Sequence, residues 1–87
     1  MTTQNFTNIA TNTTTVVKSG RGNLGAVIVN TSAAGTVTMY DNTAASGTKI
    51  GTLKSSIAEG SYLFNVRFMT GLTIVTGAAS DLTVTWE

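Results

Sequence analysis

The stretch from Gly35 to Gly51, GTVTMYDNTAASGTKIG, does most to limit what this chain can fold into. Thr36, Val37, Thr38, Met39 and Tyr40 alternate polar and apolar side chains, the period of a half-buried strand. Asp41 to Gly47 is a run of small polar residues closed by glycine, which is turn chemistry. Thr48 to Gly51 then returns as a second strand. A β-hairpin set near the middle of 87 residues makes each flank a place for further strands.

The flanks repeat that grammar. Thr13 to Lys18 (TTTVVK) is mostly β-branched and reads as a strand, ended by the glycines of Ser19 to Gly22. Leu24 to Thr31 (LGAVIVNT) is the most apolar segment. Its unbroken Ala26-Val27-Ile28-Val29 predicts either a central core strand or one covered by a second subunit. Ser32 to Gly35 turns into the hairpin. Thr52 to Ser56 extends the return strand, and Ile57 to Gly60 reads as a loop with room for one helical turn. In Ser61 to Met69, Tyr62, Phe64, Val66 and Phe68 share a face, which predicts the heart of the core. Leu63, Asn65 and Arg67 share the other. Leu72 to Thr76 is another strand. Gly77 to Asp81 turns into Leu82 to Glu87, with Leu82, Val84 and Trp86 pointing inward.

Seven or eight short strands at roughly ten-residue spacing predict a single small all-β domain. The expected architecture is a β-sandwich of antiparallel strands, jelly-roll or immunoglobulin-like, over residues 13–87. Residues 1–12 (MTTQNFTNIATN) are polar apart from Phe6 and Ile9, whose spacing of three fits no simple period. They read as a partly extended arm that packs on this subunit or a neighbour. No run of about 18 apolar residues is present to span a membrane as a helix. No basic and then apolar leader opens the chain, so it is expected to stay where it is made or to be packaged from there.

Composition narrows the chemistry. There is no cysteine and no histidine, so disulfides, thiolate or imidazole metal ligands and a histidine base are unavailable. Only 10% of residues are charged, with net charge +1, so no basic stripe is offered to nucleic acid and no acidic tail to a basic partner. Surface polarity rests on Thr, Ser and Asn. A domain of this size buries only about 60% of its unfolded surface, so association with copies or partners would help it.

The motifs each have two readings. Gly20-Arg21-Gly22-Asn23-Leu24-Gly25 spells a dinucleotide fingerprint with Asp41 following, but such a site needs a helix after the glycines, and here a strand follows. The glycines are read as turn residues. Asp41, Asn42 and the loop hydroxyls supply too few oxygens for calcium, and an Asx-type turn capping backbone N–H groups explains them without a metal. Asp41 and Asp81 both fall in turns and could pair as two carboxylates only if opposed across a cleft. Three N-x-Ser/Thr strings begin at Asn5, Asn12 and Asn30, as chance allows in a chain this rich in threonine. Tyr40, Tyr62 and Trp86 could stack on a sugar or base, but Trp86 is in register with the core. No enzyme activity and no cofactor are expected.

The run from Val16 to Leu53 (VVKSGRGNLGAVIVNTSAAGTVTMYDNTAASGTKIGTL), with the closing SYLFNVRFMTGLTIVTGAASDLTVTWE, resembles small β-sandwich virion proteins of tailed bacteriophages. The likeness covers about residues 13–87 and is carried most by YDNTAASGT. It implies a structural subunit, such as a head-decoration (cement) protein on the outer capsid surface, made in the bacterial cytoplasm. The implied partners are the major capsid protein or other virion proteins, with a homo-oligomer, a trimer at capsid three-folds, rather than nucleic acid or membrane. The second role the likeness allows is a tail or fibre module that binds host-surface glycan. Expected partner contacts are Phe6 and Ile9 of the arm and Asp41, Asn42 and Thr43 at the hairpin tip.

Overall fold

A computed structural model describes residues 4–87. Eight strands carry the described chain: β1 (Asn5–Ile9), β2 (Thr14–Ser19), β3 (Gly22–Thr31), β4 (Val37–Asp41), β5 (Thr48–Leu53), β6 (Gly60–Phe68), β7 (Gly71–Thr76) and β8 (Asp81–Trp86). They form two four-stranded sheets, ordered β1-β8-β3-β6 and β2-β7-β4-β5. All pairings are antiparallel. The molecule is a slab of 30 × 30 × 17 Å.

The pairing scheme decides between the two expected topologies. β4 pairs with β5, β3 with β6, β2 with β7 and β1 with β8, a set of nested pairs like a doubled ribbon. Rolling that ribbon adds the β3–β8 and β4–β7 contacts, which close it into two sheets. This is a jelly roll. The hairpin that organises the sequence is the innermost fold of the ribbon, and its outermost pair joins Asn5 to Trp86.

The core lies between the sheets. Leu24, Val27 and Val29 of β3, Val37 and Met39 of β4, Leu72 and Ile74 of β7 and Leu82 and Val84 of β8 are buried there. Ile9, Leu53 and Phe68 complete it from the edge strands. β3 is therefore a central strand, with Ala26 and Ile28 half-buried on its outer face. The expected weight of β6 needs correcting. Its inward face is the predicted one, but only Phe68 is fully buried, while Tyr62, Phe64 and Val66 are half-covered because β6 is a sheet edge. Residues 57–60 contain no helical turn.

The expected arm also resolves differently. Residues 5–9 are β1, paired with β8 from Asn5↔Trp86 to Ile9↔Leu82. The connection to β2 is pinned by the buried Thr76, whose hydroxyl donates to Thr11 O at 2.6 Å and accepts from Thr13 N at 2.9 Å. From Asn5 onward the segment belongs to the sandwich, and Met1 to Thr3 lie outside the described residues.

Candidate interaction site

The hairpin tip is a closed structural joint. Asp41 ends β4 with its carboxylate turned to the β6–β7 turn. It accepts from Met69 N at 3.0 Å through both oxygens and from Thr70 N at 2.8 Å, with Gly71 N at 3.4 Å. The Thr70 amide, then that of Met69, holds the Asp41 carboxyl below the usual carboxylate range, against a small opposing effect of burial. Asn42 shapes its own loop: Oδ1 accepts from Thr43 N and Nδ2 donates to Ser46 O, both at 2.8 Å. Its carbonyl accepts from the buried Thr73 hydroxyl at 2.7 Å. The expected Asx-type turn from Asp41 or Asn42 takes a different form: Asn42 Oδ1 accepts from the adjacent Thr43 N–H rather than from the residue two on, and its amide closes the loop onto Ser46 O. Asp41 caps a different turn, remote in sequence.

Glycine 71 is dictated by this joint. A Cβ there would lie 2.9 Å from Thr43 Cγ2 and 3.0 Å from Asn42 O, so a side chain would lift the loop off β7. Gly47, at φ +89°, closes the loop in the left-handed region that glycine tolerates without strain.

The other motifs resolve locally. Gly20 (φ +92°) makes the β2–β3 turn and Gly22 begins a strand, so the glycine string leads into β3 and no helix follows it. Asp41 and Asp81 stand on different sheets. Asp81 is held by Asn8 Nδ2 at 2.7 Å and Asn30 Nδ2 at 3.3 Å on the outer face of the first sheet. Trp86 closes one end of the core: its indole N–H donates to Thr7 Oγ1 at 3.0 Å, and Lys18 Nζ lies 5.8 Å from the ring centroid. The described residues form no pocket, and no three of their carboxylates gather as metal ligands.

The expected contact residues fall in two separate places. Asp41, Asn42 and Thr43 sit against the β6–β7 turn, while Phe6 and Ile9 are on β1, at the opposite end of the strand order from β6. Ile9 is 4% exposed and belongs to this subunit's core, so it is not a surface contact. Asp41 is engaged by its own chain. Phe6 is 71% exposed and points away from the core.

Phe6 heads a feature that only the pairing reveals. It stands opposite Thr85, which stands opposite Ala26, which stands opposite Leu63. This row crosses the whole outer face of the first sheet, with Leu63 81% exposed at the far edge. The next row, Asn8, Thr83, Ile28 and Ser61, is also uncharged. Leu63 was legible as an outward residue from the alternation of β6, but its alignment with Phe6 was not.

The chain matches no family model, no curated protein and no solved structure. What the geometry defines is a class: an eight-stranded jelly-roll sandwich without a recess among its described residues.

Proposed function

We propose that the protein is a phage virion structural subunit that decorates the outer head surface and bridges neighbouring coat subunits. The observation that carries this reading is the pair of adjacent uncharged rows crossing the outer face of β1-β8-β3-β6 between Asp81 and Arg67, with Phe6 and Leu63 exposed at the two ends of the first row on a broad slab. Such a face suits contact with another broad protein surface, where apolar anchors sit inside a polar rim. The resemblance of YDNTAASGT and its flanks to phage β-sandwich proteins supplies the setting. The jelly roll is also shared with viral capsid domains, although that fold hosts lectins and other proteins too. Binding is passive: the face docks without chemistry, and many weak contacts act together on the particle.

Quantitative mass spectrometry of purified virions tests the reading. The expected result is a copy number on the scale of the coat protein. Absence from the particle, or a copy number near one, overturns it. A tail position would give small multiples of three or six. Glycan stacking on Trp86 gains no support, because its N–H is engaged by Thr7 and its ring is half-buried at the end of the core.

A further inference from the structure

An exposed sheet edge presents unpaired N–H and C=O groups, and proteins blunt such edges with β-bulges and with Lys or Arg side chains. Four strands here are edges: β1 and β6 of the first sheet, β2 and β5 of the second. Three of them are blunted in both ways. β2 carries an extra residue at Val17 and holds Lys18. β5 carries one at Ile50 and holds Lys49. β6 sets Phe64 and Asn65 against the single Gly25, with Asn65 at φ +52°, and holds Arg67.

β1 has neither device. Its register with β8 runs unbroken from Asn5 to Ile9, and NFTNI contains no charge, proline or glycine. It also bears Phe6, the most exposed aromatic side chain of the described residues. The one edge left able to accept a strand is thus the one with an exposed aromatic anchor.

We infer that β1 is the self-association edge of this protein, pairing antiparallel with β1 of a second copy about a two-fold axis at Phe6. The sequence around Phe6 is self-complementary in that register. Phe6 meets Phe6, Gln4 meets Asn8, and Asn5 meets Thr7 of the second copy, so aromatic faces aromatic and amide or hydroxyl faces amide. Only registers that place a residue opposite itself keep inward and outward faces aligned across the junction. Among these, centring on Phe6 buries the exposed ring against its own copy, a favourable cross-strand pair. No charge lies in the paired strands to repel. The two first sheets then join into one eight-stranded sheet, β6-β3-β8-β1-β1-β8-β3-β6, by an isologous contact. The paired strand is only five residues long, so the dimer is expected to depend on concentration.

The contact does not rest on the virion reading. Particle mass spectrometry is blind to β1, and solution association is blind to the capsid, so either can fail alone. Sedimentation of the purified chain over a wide concentration range should show a monomer–dimer equilibrium. Phe6→Lys, which sets two cations face to face at the axis, should weaken it by about tenfold or more. Leu63→Lys, on the bulged opposite edge, should leave it unchanged. Because the chain has no native cysteine, Phe6→Cys gives a second readout. Directly opposed antiparallel residues lie about 4.5–5.5 Å apart between Cα atoms, within disulfide range, so mild oxidation should yield a linked dimer. A chain that stays monomeric at all concentrations, a trimer indifferent to Phe6→Lys, or a Phe6→Cys variant that is folded but does not cross-link would overturn the inference.

Discussion

The Asp41 carboxylate accepts the Thr70 backbone N–H at 2.8 Å, joining two turns that are 29 residues apart in the chain. Through it the tip of the innermost hairpin is tied to the β6–β7 turn. Three N–H groups converge on this one side chain, counting those of Met69 and Gly71.

That convergence sets an acid dependence. The Asp41 carboxyl is held below its ordinary value of 3.8 by the Thr70 and Met69 amides. A carboxyl depressed in the folded state contributes stability above its unfolded value and loses it as pH falls through the folded one. Urea unfolding of the wild type should therefore show stability falling as pH drops below about 4. Asp41→Asn should be less stable at neutral pH by about 1–2 kcal/mol, allowing for solvent screening of the joint, and should lose less on acidification. Equal pH slopes in the two proteins would mean that Asp41 does not carry the effect.

Gly71→Ala tests the same joint from below. The added methyl meets Asn42 O and Lys18 O, which are backbone atoms and cannot rotate away, as well as Thr43 Cγ2. A loss of about 1–3 kcal/mol is expected from overpacking. Amide exchange should quicken at Met69, Thr70 and Gly71, the donors to Asp41. Exchange unchanged at these positions would show that the loop shifts without releasing its contacts.

How much of this could be read from the sequence differs from element to element. The hairpin was legible because alternation and a glycine-closed polar turn are local signals. The inward set of β8 was legible for the same reason. In the sequence β1 reads as an arm because Phe6 and Ile9 are three apart. In a strand that spacing puts the two on opposite faces, Ile9 in the core and Phe6 outside, so a two-sided strand resembles no period. For β6, alternation gave the correct face but no depth, since depth depends on whether a strand is central or an edge. The Asp41–Thr70 bond and the edge bulges leave no local trace, because they arise only when distant strands come into register.

The depth of β6 can be measured. Phe68 is fully buried, so Phe68→Ala should cost about 3–5 kcal/mol and leave this small domain largely unfolded at ordinary temperature. Leu63→Ser, at a side chain 81% exposed on the same strand, should change stability by less than about 0.5 kcal/mol. Phe64, half-buried at the edge and packed over Gly51, should fall between them when truncated. Thermal melts of the three variants would establish the order, and a Phe64→Ala cost equal to that of Phe68→Ala would refute the edge position of β6.

The end of the sandwich at Trp86 provides an optical test of how the outermost pair of the ribbon is held. The indole donates to Thr7 of β1 and stands 5.8 Å below the Lys18 ammonium of β2, so one side chain on β8 touches the first strand of each sheet. As the only tryptophan, it reports both contacts without interference. Thr7→Val keeps the shape of the side chain but removes the acceptor, leaving a half-buried N–H unpaired, at a cost of about 1 kcal/mol. Lys18→Met keeps the stem over the ring and removes the charge, which should cost no more than about 0.5–1 kcal/mol. The first change should alter the tryptophan emission and weaken β1 protection in hydrogen exchange. The second should alter emission alone. Loss of β1 protection in Lys18→Met as well would show that the two sheets are coupled at this end through the ring rather than through the β1–β8 ladder.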